Sequence, residues 1–486
     1  MKTIAERAFF WDDEWIDPLR TTAERRLHAP ERMEDVLTLD RPWEGNGCGY
    51  FHIVYDDEKR VYRMYYNGLC MYRPDGSLYR PEDVRVCCLE SADGVRWARP
   101  DLGLSEFGGS RHNNIVVTSD QFEGLTGIDN FYVNADRNPS PAVPGRFKAV
   151  MQFTRRLSDG TRDVSLASLT SDDGYRFRLL GTVTRKGFFD TLNTFLWHEP
   201  SGKYLCFVRS FHEAGTGREY DRSAGVPLNS YVRDIRVLES EDFLHWSEPE
   251  RVRFDGERDF ALYTNCVSAY PGSGMLVGLP TRYVERPAWT PAFDELCGRD
   301  ERLWRMGLEK RFGLAVTDAL FMCSRDGKSW RRYDEAFLRP GAEAPGSWVY
   351  GGCYPAVGFT GEDELNLFAY ENHWIRRQPT VLYRMRLRRD GFVSMRAGCD
   401  EKRVATKEFV FYGNDLYLNM SSSAYGFVVV TLTARDGTRA VSCETFGDSA
   451  DKRVRFEGGL ARLAGKPVRM ELFLTDADVY AFEFRG

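Results

Sequence analysis

The sequence predicts an all-β protein, a five-bladed β-propeller followed by a C-terminal β-sandwich. Three observations lead there. A strand-like run closed by Ser-x-Asp-Gly or Ser-x-Asp-Phe and a trailing aromatic recurs along the chain. Helical periodicity is nearly absent. Beyond Thr406 the texture changes to alternating strands such as YGFVVVTLTARDG and VYAFEFRG.

The recurring copies are VCCLESADGVRW, SLASLTSDDGYRF, IRVLESEDFLHW and LFMCSRDGKSW, with aspartates at Asp93, Asp173, Asp242 and Asp326; LYRMRLRRDGF gives a weaker fifth at Asp390. Their spacings of 80, 69, 84 and 64 residues suit one four-stranded blade with generous loops per interval. Gly can supply a positive φ there, and Asp can bond back to its own backbone. These aspartates are therefore expected to build turns, because a residue repeated once per blade is scaffold.

Residues 1–39 read as an N-terminal segment packing on the propeller, 40–400 as the propeller and 405–486 as the sandwich that braces it. Runs such as YFHIVYD, RFKAVMQF, KYLCFVRSF and LNLFAYENH fill the blades. The mixed, charged stretch from Arg286 to Lys310 is the exception. It reads as a long loop or short helix over one face, where lids and subsite walls are commonly built.

A chain of 486 residues suits two compact units. Its 14% aromatic content, with 11 Trp and 24 Tyr, fits β-structure and sugar stacking. The formal charge of −6 is spread without a basic stripe, which argues against a nucleic-acid partner. No apolar stretch is long enough to span a membrane, and the N-terminus shows no secretory signal pattern. The 11 cysteines, without a CxxC pair, read as buried free thiols. A cytoplasmic location is the resulting expectation. No HExxH, Cys-His ligand pair, EF-hand loop, GxGxxG, Walker loop or GxSxG elbow is present, so neither cofactor nor protein-built zinc site is expected. A structural calcium on the propeller axis stays open, as does the oligomeric state.

In a propeller the inner strands line the axis, so groups preceding those strands converge on one pocket. Blade one begins DRPWEGNGCGYFHIVYD, with Asp40, Trp43 and Glu44; blade two begins GLTGIDNFYVNADRNP, with Asp129 and Asn130; blade three begins GFFDTLNTFLWHEP, with Asp190 and Asn193. Blades four and five offer Tyr263 and Asn265, and Trp348 and Tyr350, but no acid. Glycoside hydrolysis needs two carboxyl groups, one protonated and one ionised, and crowding of like charges keeps one of them protonated. Glu44, Asp129 and Asp190 are the catalytic candidates. Arg209 and Arg282 lie within otherwise apolar strands and should pair with a carboxylate or bind substrate oxygens. Glu371 is a reserve acid beside His373.

With these elements in place, the sequence resembles the clan of five-bladed propeller glycosidases that includes glycoside hydrolase families 32 and 43. The likeness covers nearly the whole chain and lies in architecture more than motif: DRPWE, GIDNFYVNADRNP and FDTLN stand where that clan's signatures would be. It is also similar to bacterial propeller proteins with SRDG, RPG (Arg339 to Gly341) and DGF elements. The resemblance implies Glu44, or Asp40, as base or nucleophile, Asp129 as the residue that tunes and orients, and Asp190 as the acid, where the family commonly has Glu. The expected activity is hydrolysis of a short oligosaccharide, a fructoside, arabinofuranoside or similar. The alternatives are an inverting phosphorylase using Arg209, Arg282 and His373 for phosphate, or a non-catalytic propeller that binds a carbohydrate or a protein.

Overall fold

The computed structural model describes residues 2–4, 6–72, 77–78, 83–221, 226, 228–376 and 378–486. The chain divides into two compact units, residues 31–361 with 366–386, and residues 1–30 with 362–365 and 387–486.

The first unit is the five-bladed propeller. Blade one comprises Gly49–Asp56, Val61–Gly68, Arg85–Ser91 and Ile115–Val117, and blade two Gly127–Ala135, Phe147–Arg156, Arg162–Ser171 and Arg178–Thr184. Blade three comprises Thr194–His198, Lys203–Glu213, Tyr231–Ser240 and Glu250–Arg251. Blade four runs Val267–Ala269, Leu276–Gly278, Ala315–Ser324 and Ser329–Leu338, with Thr281–Glu285 paired to Ala315–Ser324 and Arg253–Phe254 parallel to the outer strand. Blade five is Tyr354–Pro355, Glu364–Glu371 and Thr380–Arg388, and Glu31–Leu39 closes it along the outer edge, with Leu39 opposite Thr380. The chain thus ties its two ends of the ring together in one sheet, which leaves that edge covered.

The repeated motif is the turn after the third strand in blades one to four. Oδ1 of Asp93, Asp173, Asp242 and Asp326 each accepts two backbone N–H groups at 2.7–2.9 Å. The Ser two positions earlier accepts from the N–H after the aspartate at 2.9 Å in every copy. That next residue is left-handed each time, Gly94 at φ 70°, Gly174 at 78°, Phe243 at 66° and Gly327 at 72°. A Cβ at Gly174 would lie 2.3 Å from Arg63 Nη1 of blade one, and one at Gly327 would lie 2.6 Å from Leu205 of blade three. The glycines serve close approach between blades as well as φ. Tyr65 donates to the Gly174 carbonyl at 2.8 Å and Thr360 to that of Gly94 at 2.7 Å, so these two turns lock onto a neighbouring blade. Asp390 departs from the pattern. It is itself left-handed at φ 58°, belongs to the second unit and pairs with Arg7 at 2.6 Å.

The stretch after Arg286 forms three helices, Pro291–Glu295, Arg299–Leu308 and Lys310–Leu314. Arg305 is fully buried and its guanidinium donates to the carbonyls of Tyr350, His373 and Trp374. The helical insertion thereby fixes the backbone that leads into blade five.

The second unit is a β-sandwich region built on two long strands, Asp415–Ala434 and Val468–Arg485, which pair along most of their length. Their register breaks between Asn419 and Met420 and between Ser422 and Phe427. Such irregularities let one strand pair bend. Val428, Val430, Leu432, Met470, Leu472 and Leu474 alternate inward to the core. The expected N-terminal segment 1–39 and propeller end at 400 are corrected here: residues 1–30 and 387–400 belong to this unit, while 31–39 are the closing strand of blade five. Lys2–Ile4, Ala8–Phe9 and Glu24–Leu27 find ladder partners in its sheet.

All 11 cysteines are free, but only Cys48, Cys87, Cys88, Cys206, Cys266, Cys323 and Cys353 are buried; Cys70, Cys297, Cys399 and Cys443 are exposed, against the expectation of burial throughout. Among the described residues no helix is long and apolar enough to cross a membrane.

Candidate functional site

The axial ends of the inner strands share a backbone device. Tyr50, Asn130 and Cys266, at equivalent entries to blades one, two and four, are left-handed at φ 60°, 48° and 43°, and the ladders of blades one and two slip register beside them. A bulge of this kind re-aims side chains, and holding an aromatic or Asn there is strain that packing must sustain. Tyr50, Asp129 and Asn130 sit at or beside these bulges.

Asp129 is 3% exposed, and its Oδ1 accepts from Asn67 Nδ2 at 2.9 Å and the Asn130 N–H at 2.8 Å. Asn130 Nδ2 donates to the Phe189 carbonyl at 3.3 Å, and Asn193 Nδ2 donates to the same carbonyl at 3.1 Å. The first bond ties blade two to the loop that bears Asp190, whose side chain is 57% exposed and paired with Arg209. Arg209, itself only 5% exposed, stacks at 4.9 Å over the ring of Tyr263. Burial opposes its charge, but Asp190 and the surrounding tyrosines outweigh this and raise its pKa. Tyr263 lies 5.8 Å from Tyr350 and 5.9 Å from Tyr354, and Tyr50 lies 6.4 Å from Tyr354, closing an aromatic floor. Burial first, and the neighbouring hydroxyls second, push Tyr50, Tyr350 and Tyr354 well above the ordinary tyrosine range, so they remain neutral hydrogen-bond donors.

The predicted residues thus divide. Asn130, Asp190, Asn193, Arg209 and Tyr263 are joined by these contacts, and Asp129 is buried beside Asn130 with its carboxylate held by Asn67 of blade one. Glu44 does not join them. It is fully buried, accepts from Tyr66 Oη at 2.6 Å and is held by Arg99 at 2.8 and 2.9 Å. Tyr66 and Asn67 are successive strand residues and face opposite sides of the blade-one sheet, so Glu44 and Asp129 are bound from opposite faces. The bulged axial position in blade one is filled instead by Gly49 and Tyr50. Asp40 is exposed, 3.6 Å from Arg99, and Trp43 donates to Asn114 at 2.7 Å, both on Glu44's side. Glu371 lies across blade five from Arg32, which donates to both of its oxygens at 2.9 Å. His373 donates from Nδ1 to the Cys48 carbonyl at 2.7 Å, and Asn265 spends its amide on the Leu192 and Phe207 carbonyls, bridging blades three and four.

Arg282 is paired with Asp318 and, with Trp348, lines a separate cavity of about 1110 Å³ walled by Phe293, Pro340 and the helical insertion. Among the described residues no group of three or more His, Cys, Asp or Glu side chains is placed to hold a metal ion.

Sequence reasoning missed Arg233, Tyr50 and Tyr354, and named Tyr350 only as a residue at the entry to blade five. Arg233 was hidden because YVRDIRV carries charge on both faces, although Arg233 alternates with Ile235 and Val237 on the apolar one. That alternation was the available signal.

The fold is a five-bladed propeller whose inner strand ends gather Asn130, Asp190, Asn193, Arg209 and a cluster of tyrosines, with Asp129 buried beside Asn130. No protein-family profile matches the chain, and no curated protein matches it. Among solved structures it is similar to a family 32 β-fructofuranosidase from Bombyx mori, at 11% identity and a TM-score of 0.40 over 97% of this chain and 95% of that one. It is similar also to a thermostable family 43 glycoside hydrolase, at 13% identity and 0.41 over 71% and 92%. An α-L-arabinofuranosidase from Fusarium graminearum gives 9% identity and 0.43 over 74% and 98%.

Proposed function

We propose that this protein cleaves glycosidic bonds of a short oligosaccharide at the axial mouth, with Asp190 and Asp129 as its carboxyl pair. The observation that carries this reading is that Asn130, next to Asp129, and Asn193, three residues after Asp190, both donate to the Phe189 carbonyl, which ties the strand of one carboxylate to the loop of the other beside a cluster of tyrosines. Asp190 reaches solvent and so an incoming sugar. Asp129 is buried and oriented by two donors. Glycosidic cleavage needs a proton donor at the leaving oxygen and a second carboxylate to activate water or attack the anomeric carbon. Asp190 suits the first place, as the resemblance implied, while Asp129 takes the second, because blade one presents Tyr50 rather than an acid. Tyrosine rings at such a mouth can stack on sugar faces and offer hydroxyl donors.

The test is a screen of the purified protein on nitrophenyl furanosides and pyranosides and on short fructans and arabinans, beside Asp129→Asn and Asp190→Asn. Turnover that collapses in both variants supports the reading. Turnover indifferent to them, or none on any glycoside, sinks it in favour of a binding propeller.

A further inference from the structure

We propose that the axial mouth binds an oxyanion between Arg209 and Arg233, so that the ligand either carries a carboxylate or phosphoryl group or is joined there by inorganic phosphate. This rests on the axial mouth being the glycoside site proposed above and names a chemical demand on what enters it.

In blade three Phe211 pairs with Arg233 and Arg209 with Ile235, which makes the two arginines diagonal neighbours on one face of the sheet. Both guanidinium groups lie over the same two rings: Arg209 is 4.9 Å from Tyr263 and 5.7 Å from Phe211, and Arg233 is 5.8 and 5.5 Å from them. Arg233 also stacks on Tyr283 at 4.2 Å. The residues are 5% and 8% exposed.

The protein supplies too few acceptors for this pair. Asp190 meets Arg209 through Nη2 alone, and Nε and Nη1 of Arg209 are buried without a hydrogen-bond partner, as is Nε of Arg233. No carboxylate lies within ion-pair distance of Arg233 among the described residues. Nearby acids are otherwise engaged, Glu285 with the Tyr283 hydroxyl at 3.4 Å and Glu309 with Arg311. A buried, unpaired guanidinium is costly unless something compensates it. Arginine's planar fork is matched by carboxylate and phosphate, which accept two parallel bonds from it. The neutral hydroxyls of the tyrosine floor add donors and no competing charge.

The test is calorimetric titration of the full chain with inorganic phosphate, galacturonate, glucuronate and, as the neutral control, galactose. It is repeated on Arg233→Gln and Arg233→Lys, with melting in phosphate against chloride at equal ionic strength. The expected result is that at least one anion binds at least tenfold more tightly than galactose. Arg233→Gln should lose that preference and Arg233→Lys retain part of it. Phosphate alone would identify a free co-ligand, the uronates alone a group on the sugar, and both a shared oxyanion site. The proposal is overturned if no anion exceeds galactose and phosphate leaves the melting of the native chain unchanged, or if a folded Arg233→Gln keeps the preference. Anion binding without cleavage of any glycoside would retain this proposal and end the preceding one; cleavage of neutral glycosides without anion binding would do the reverse.

Discussion

The ring of turns at the blade edges and the mouth on the axis are built by opposite rules. At the turns four aspartates make the same bonds to within 0.2 Å, with the same serine and the same left-handed residue after them. At the axis no two blades present the same set: Tyr50 from the first, Asp129 and Asn130 from the second, Asp190 and Arg209 from the third, Tyr263 from the fourth, Tyr350 and Tyr354 at the fifth. Repetition satisfies backbone groups and locks neighbours. Divergence among repeats, where polar atoms are left without protein partners, marks the place where something other than the protein must be met.

The largest effects should come from removing axial carboxyl groups. On any glycoside that the protein turns over, Asp190→Asn and Asp129→Asn should each lower kcat/KM by roughly 100- to 10,000-fold. The melting temperature of Asp190→Asn should fall as well, since the amide leaves the buried Arg209 without its carboxylate, so kcat/KM is compared on the folded fraction. A modest loss for Asp190→Asn would erase the distinction between the two regions.

Glu44 sharpens the comparison from the other side. Replacing it by Gln leaves Arg99 facing a neutral amide where two charge-assisted bonds stood, at a fully buried position. Breaking a buried pair in this way costs about 3 kcal/mol. Denaturant unfolding should show that loss, while kcat of the folded fraction stays near native. A kcat that collapsed without loss of stability would return Glu44 to the machinery.

The outcome for Glu44 shows where sequence reading reached and where it stopped. The repeat was legible because turns impose a local grammar of Ser and Asp followed by Gly, or by Phe in blade three, on blades one to four. Asp129, Asp190 and Arg209 were legible as charge at the edge of, or within, apolar strands. Glu44 precedes its strand by five residues, much as Asp190 precedes its own by four, yet the bulge at Tyr50 and the pairing with Arg99 decide which face it serves. Both depend on residues remote in sequence, Arg99 and His373, whose ring a Cβ at Gly49 would meet at 2.8 Å. Arg233 was missed for the same reason, since only the register with Phe211 places it beside Arg209.

A smaller effect follows from two buried histidines that serve the joints between blades. His52 accepts from the Val133 N–H at 3.0 Å, joining blades one and two, and His373 lies against Tyr50 and Tyr354. Burial pushes both down from 6.5 to about 3. The unfolded chain therefore binds more protons than the folded one between those values, and stability falls as the pH drops below 6.5. At pH 5 each contributes a loss of about 2 kcal/mol. His212 runs the other way: burial opposes its charge, but the bonds it donates to Asp234 and Asp259 outweigh this and raise its pKa, so its contribution fades as the pH rises through that raised value. Melting followed from pH 7 to 5 should show the fall, and His52→Gln should flatten it. A flat native curve would remove these joints from the account.

The smallest effect belongs to a single turn. In Asp173→Ala the N–H groups of Tyr175 and Arg176 lose their acceptor, but Arg176 is exposed and water can replace the bond there, so the cost is about 1 kcal/mol. Burial acts to raise the Asp173 pKa and the two backbone bonds overcome it, leaving the carboxyl below its usual range. Its contribution is therefore present above pH 3.8 and lost as the pH falls through the lowered value. The native and Asp173→Ala proteins should differ in melting temperature at pH 6 and converge on acidification, with kcat on any responsive glycoside the same in both. Gly174→Val at the next position is the harsher test of the same turn, because a left-handed β-branched residue would also be driven into Arg63. If either change lowered kcat as far as an axial substitution does, the turns would have to be counted with the site and repetition could no longer be read as scaffold.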